Sequence, residues 1–252
     1  MRICFLASRR GTNLASVIKH IELGILKGCE VTLLVTNRPG CGAEKVAEES
    51  GIEVLQMPHL GLTVAEYEER LVKELDARGI DLVVSAGWDW MIGRRMREVY
   101  RWRLMAIHPS LHPSFIKPLS LAEEIHHDVL RSGVKVTGCT VYYVDRNVDT
   151  GPIILQRPVP VLESDYRLYR GDPDAAVKRL SERVLLHEHL LLPKAIQLHT
   201  DGLVRVVELG GRSIALVDAD EEWEKRWNER QQKYIQRIRS RVGEREVITV
   251  WP

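Results

Sequence analysis

Four short apolar runs, at residues 2–7, 30–36, 52–56 and 81–85, alternate with stretches of helical periodicity through the first third of the chain. Residues 14–26 carry apolar side chains at 14, 17, 18, 21 and 25. Residues 41–50 read as a second helix, and residues 63–78 place apolar side chains at 64, 67, 71 and 75. Short buried strands alternating with one-faced helices close a core as a parallel sheet with right-handed crossovers. The expected class is therefore α/β, a mostly parallel sheet with flanking helices. A length of 252 residues supplies the core of one large domain or two small ones. Open α/β sheets do their chemistry at the C-terminal ends of the strands, so the residues that follow each run are the candidates for function.

The first such segment, Ser8-Arg9-Arg10-Gly11-Thr12-Asn13-Leu14, joins strand to helix. The free N–H groups of a first helical turn favour an anion. Thr12 or Asn13 is suited to cap this helix, and two arginines beside it favour a phosphate or carboxylate. The segment is neither a Walker loop nor G-x-G-x-x-G, and an ordinary strand–helix turn is the alternative. After the fourth run comes Trp88-Asp89-Trp90, suited either to an aromatic pocket or to rim packing. The stretch Ala106-Ile107-His108-Pro109-Ser110-Leu111 follows another apolar run and puts His108 at the end of a fifth strand. A later turn, Asp149-Thr150-Gly151-Pro152, brings a carboxylate just ahead of a further strand. A histidine and an aspartate on separate loops can form an acid–base pair, and a solvated loop histidine with a turn aspartate is the alternative.

Residues 121–131 read as a helix carrying His126 and His127, which cannot share a face and so make an improbable metal pair. Residues 134–143 and 153–161 read as strands, the second with Pro158 and Pro160 suggesting a sheet edge. Residues 163–170 are expected as a loop, and residues 172–199 as a long helix interrupted or ended near Pro193. Residues 203–207 and 213–217 flank Gly210-Gly211 as a hairpin. Residues 220–241 form a highly charged helix with Trp223, Trp227, Tyr234 and Ile238 on one stripe. That stripe packs back on the chain or forms a homodimer contact. A net charge of +1 gives no bulk attraction to nucleic acid or membrane. Four dispersed cysteines, no signal-peptide pattern and no bilayer-length apolar run place the chain in the cytoplasm as an expectation.

The ordered set of motifs resembles the phosphoribosylglycinamide formyltransferases and, more distantly, the wider formyltransferase family. It comprises residues 8–14, Ala86-Gly87-Trp88, His108-Pro109-Ser110-Leu111, Asp149-Thr150-Gly151-Pro152-Ile153-Ile154-Leu155-Gln156, and Glu188-His189 with Pro193. The resemblance implies a Rossmann-like formyltransferase domain over residues 1–208, with residues 209–252 as a C-terminal extension. It implies transfer of a formyl group from 10-formyltetrahydrofolate to the amine of glycinamide ribonucleotide in purine synthesis, without a metal. It casts His108 as the group that polarises the formyl oxygen and Asp149 as its acid–base partner. It gives Arg10, Gly11, Thr12, Asn13, Pro109 and Glu188 to the phosphorylated amine, the first four around its phosphate and Glu188 at its ribose. It gives Trp88, Asp89, Trp90, Met91, Ile92, Val144, Asp145 and Val148 to the folate.

The chain departs from the family at several points. The asparagine two residues before the histidine is Ala106, and the Gly-x-Gly of the first loop is Arg9-Arg10-Gly11. A strand-borne histidine is Tyr142, and the glycine of a Pro-Gly pair is Lys117 beside Pro118. Two further readings stay open beside the first. One is a diverged formyltransferase for another phosphorylated or sugar-nucleotide amine, and the other is a non-catalytic folate- or nucleotide-binding homologue.

Overall fold

The computed structural model describes residues 1–117, 119–145 and 150–242. In chain order the elements are β1 (Arg2–Leu6), α1 (Thr12–Glu22), β2 (Glu30–Thr36), α2 (Gly42–Glu49), β3 (Glu53–Gln56), α3 (Val64–Ala77), β4 (Leu82–Ser85) and α4 (Arg94–Val99). There follow β5 (Leu104–His108), α5 (Ala122–Ser132), β6 (Val136–Tyr143), β7 (Ile153–Pro160), α6 (Glu163–Gly171), α7 (Pro173–Thr200), β8 (Val204–Leu209), β9 (Arg212–Val217) and α8 (Glu221–Val242). One seven-stranded sheet runs in the order β3-β2-β1-β4-β5-β6-β7. The first five strands in that order pair in parallel, and β6 and β7 add antiparallel.

The sheet is covered on both faces, so its central strands are apolar without alternation. On one face Ile3, Phe5 and Met105 pack with Leu14 and Val17 of α1, Val129 of α5 and Leu180, Val184 and Leu192 of α7. On the other, Cys4, Leu6, Leu104 and Ala106 pack with Tyr67, Leu71 and Leu75 of α3 and Met96 of α4. From β1 the chain winds first to β2 and β3, then back to β4 and β5 on the other side. The strand order therefore reverses between β1 and β4, where the loops after them diverge and leave a crevice.

Three expectations need correction. Residues 163–170 are not a loop but lie within helix α6, and α4 also goes unannounced by the sequence pattern. The reason for α6 is electrostatic. Asp165 is fully buried, accepts the Leu162 N–H at 2.8 Å, and is held by Arg179 (2.6 Å) and Arg183 (2.7 Å) of α7. Those partners lie 14 and 18 residues away, outside any local pattern. Nor does Pro193 interrupt the long helix, because α7 runs unbroken for 28 residues. Proline has no N–H for the carbonyl of His189, four residues earlier, and the Ser16 hydroxyl of α1 donates to that carbonyl instead, at 2.9 Å.

The third concerns the Trp223 and Trp227 helix, for which the sequence leaves both packing back on the chain and a homodimer contact open. That stripe is closed within the chain: Trp223, Trp227, Tyr234 and Ile235 of α8 are buried against Ile25, Leu190 and Leu198. The apolar area of these four side chains is already removed from water. The hairpin pairs β8 from Val204 with β9 up to Val217.

Asp165 carries a stability prediction. Burial alone raises a carboxyl pKa, but the Arg183 and Arg179 guanidiniums and the Leu162 N–H outweigh it and hold Asp165 below the ordinary value. A depressed carboxyl stabilises the fold above its unfolded pKa, and that stability is lost as pH falls through the folded pKa. Asp165→Asn is expected to cost about 3 kcal/mol at pH 7, the lower end for a broken buried ion pair because both arginines are partly solvated. Urea unfolding should show the gap between variant and parent closing below pH 4.

Candidate active site

The crevice at the β1/β4 switch is a cleft of about 820 Å³, within the range of small-molecule sites. Its floor at one end is the β1–α1 loop. Gly11 is the N-cap of α1 and takes the left-handed conformation at φ 72°. A Cβ there would sit 2.5 Å from the Cα of Ala43, because the loop lies against the start of α2 and Ala43 N–H donates to Arg9 O at 2.8 Å. Only glycine fits both the angle and the space. The expected capping by Thr12 or Asn13 does not occur, since neither makes a cap hydrogen bond. Both sit in the first turn instead, and both line the cleft beside its free N–H groups.

Asn13 turns toward α7, where its Nδ2 donates to Glu188 at 2.8 Å. Glu188 is buried, and burial pushes its carboxyl up to about 7 against the opposing pull of Asn13 and Arg10. An acid raised by burial adds stability while protonated and loses it as pH rises from about 4.5 through 7. Glu188→Gln removes that loss. It is expected to be the more stable protein at pH 8, by roughly 3 kcal/mol, with the advantage vanishing near pH 4. Melting curves across that range measure it.

The opposite wall follows β4. Trp88, Trp90, Met91 and Ile92 line the cleft with Val144 from the end of β6. Trp90 stacks on His59 with centroids 3.8 Å apart, and its buried Nε1 has no hydrogen-bond partner. Asp89 is absent from the lining. Its carboxylate accepts from Asn37 Nδ2 at 2.9 Å and pairs with Arg38, so it anchors the segment. At the far end, Glu68 of α3 accepts the N–H groups of Gly93, Arg95 and Met96, capping the short helix α4. Residues 88–93 are thus pinned at both ends. Asp145 is also outside the lining. Asp149 and Val148 lie outside the described residues.

The same cleft is lined by His108, the last residue of β5, with Pro109 beside it. The side chain is largely buried, and its Nε2 lies 3.3 Å from the carbonyl oxygen of Phe115. Two histidines that the sequence reading did not assign to the site share this cleft region with it. His112 packs 4.9 Å from the His108 ring, and His126 of α5 lines the same cleft. Burial, with His108 nearby, pulls His112 down to about 3 and His126 down to about 4, so both are neutral near pH 7. The signal for His126 was present, since it lies four residues before Leu130 on the buried stripe of α5, while His127 turns out to Tyr169. His112 had none, because it sits in a loop. Among the described residues no group of three His, Cys, Asp or Glu is placed to hold a metal ion. Arg9, Arg38, Arg97 and Lys117 complete a basic rim that the sequence showed only at Arg9 and Arg10.

Comparison with known proteins agrees with this geometry. The formyl transferase family model matches residues 1–196. The trifunctional purine biosynthetic protein adenosine-3 of Gallus gallus is 33% identical over 211 residues, covering 83% of this chain and 19% of the relative. This chain thus spans about a fifth of the length of such multifunctional relatives. The chloroplastic phosphoribosylglycinamide formyltransferase of Vigna unguiculata is 31% identical over 78% of this chain and 60% of its own. Among solved structures, glycinamide ribonucleotide transformylase 1 from Symbiobacterium toebii superposes with a TM-score of 0.73 at 34% identity, covering 84% of this chain and 92% of that one. Phosphoribosylglycinamide formyltransferase from Anaplasma phagocytophilum gives 0.74 at 26% identity, covering 88% and 97%. With this fold, this cleft and a family match over most of its length, the chain belongs to the formyl transferase family.

Proposed function

We propose that the chain transfers a formyl group from 10-formyltetrahydrofolate to the amine of glycinamide ribonucleotide in the cytoplasm. The observation that supports this best is the placement of three chemistries along one cleft. The α1 N-terminus with Arg10 suits a phosphate, Glu188 suits ribose hydroxyls, and His108 lines the same cleft as an aromatic wall. The walls fit a flat heteroaromatic ring. Trp88, Met91, Ile92 and Val144 supply apolar contact. In the reaction the amine nitrogen attacks the formyl carbon, the carbonyl oxygen becomes an oxyanion, and the carbon–N10 bond breaks. A proton passes from the amine to N10. His108 donates to the forming oxyanion, and Asp149 is assigned the partner role.

The test is tetrahydrofolate release from the two substrates, followed by absorbance. Turnover that depends on glycinamide ribonucleotide is expected, and its absence with clear folate binding sinks the acceptor. A second reading is favoured by one observation. Arg9 and Arg10 stand where the family's loop has Gly-x-Gly, and both line the cleft, which suits an amine on a more highly charged sugar nucleotide. A binding panel of phosphorylated amines separates the two, and tightest binding to glycinamide ribonucleotide removes the second.

A further inference from the structure

The site has an oxyanion to stabilise and, at Ala106, no side chain to help do so. The β5–β6 pairing points to where that help comes from. Ala106 lies directly opposite Tyr142 in the antiparallel register, which puts their Cβ atoms about 4.5–5.5 Å apart on one face. His108 is two residues on along the same face, and all three line the cleft. The alanine methyl leaves open the space that a larger residue at 106 would take, and the Tyr142 ring stands beside it, almost wholly buried.

The ring is held in place. His112 packs against Tyr142 with centroids 4.7 Å apart and against His108 at 4.9 Å, so the three rings form a row. His112 is itself fixed through its backbone. Its N–H donates to Thr140 Oγ1 at 3.0 Å, and its carbonyl accepts from Gln156 Nε2 at 3.0 Å. Thr140 closes the frame by donating to Ser110 O at 2.7 Å. A side chain locked by packing in this way costs little reorganisation when charge develops beside it.

Resting on the formyl-transfer reading, the geometry points to Tyr142 as a catalytic residue whose phenol O–H donates a hydrogen bond to the oxyanion, in the place that the missing amide at 106 leaves. The donor has moved from β5 to the strand opposite, and the small residue at 106 is what makes room for it. No proton leaves the phenol in this step.

The experiment compares Tyr142→Phe, Ala106→Asn and the double variant Ala106→Asn/Tyr142→His with the parent. Each is assayed with glycinamide ribonucleotide and, in parallel, with hydroxylamine, a small amine whose attack on the formyl carbon creates the same oxyanion. Tyr142→Phe keeps the ring and removes only the donor. Its kcat is expected to fall roughly 100-fold, with KM for the folate changed by less than about three-fold. Ala106→Asn alone is expected to lose rate, because its side chain meets the Tyr142 ring. The double variant is expected to regain rate to within about ten-fold of the parent, the amide now serving as donor. A purely packing role for Tyr142 would leave kcat of Tyr142→Phe within about three-fold and overturns the proposal. So does a gain of rate in Ala106→Asn with Tyr142 in place, or the absence of a Tyr142-dependent rate with both acceptors. A Tyr142-dependent rate with hydroxylamine but none with glycinamide ribonucleotide upholds Tyr142 and rejects the acceptor.

Discussion

Replacing His108 with alanine is expected to lower kcat by about 10³-fold, within the range lost when a positioned proton donor or acceptor is removed. His108 ends β5 and lines the cleft together with the α1 N-terminus and the Trp88–Trp90 segment. The two other histidines near it are held neutral by burial. Neither can supply a proton at neutral pH, so the loss at 108 is not made good from within the site. The fold should survive, because the ring lines the cleft. Tetrahydrofolate release measured beside a melting curve separates the two effects. A rate within about ten-fold of the parent, with substrate still bound, removes His108 from the chemistry.

The second large effect is structural. Trp227→Ala is expected to cost about 3–5 kcal/mol, the range for truncating a buried tryptophan. The melting temperature should fall by roughly 10 °C in a domain of this size. Trp227 has no solvent exposure, and it stacks on Trp223 with planes 4° from parallel and centroids 5.8 Å apart. Polar contacts set the docking angle of α8 around this pair. Trp223 Nε1 donates to Asp201 at 2.8 Å, Gln231 Nε2 donates to Leu190 O at 2.8 Å, and Lys194 pairs with Glu224 at 2.6 Å. The truncation leaves the charged outer face untouched and removes the attachment beneath it. Calorimetry checks it. An unchanged melting temperature would mean that α8 does not carry its weight in the fold and would return the stripe to an intermolecular role.

The fold was legible in the sequence wherever local pattern and tertiary role coincide. Strands buried on both faces read as apolar runs, and helices with one buried face read as 3.6-residue stripes. The rhythm of β1 to β4 therefore announced a parallel sheet, and with it the place of the cleft. Gly11 and His108 were legible for the same reason, since the end of a strand dictates where the next residue goes. Other features depend on partners far along the chain. Helix α6 exists because Asp165 meets two arginines of the next helix, and α7 passes through Pro193 because Ser16, more than 170 residues earlier, serves the freed carbonyl.

The same division runs through the active site. The sequence by itself determined the fold class, the switch-point cleft, the strand–helix turn at Gly11 and the histidine at the end of β5, because each follows from neighbours within a few residues. Only the tertiary structure decided that Glu188 answers Asn13, that Asp89 anchors the aromatic wall without lining it, that His112 and His126 crowd His108, and that Trp223 and Trp227 face inward. It also set Tyr142 opposite Ala106, a pairing fixed by strand register between residues 36 positions apart. Local periodicity records which side of an element is buried but not what lies across from it, and the chemistry of this cleft resides in what lies across.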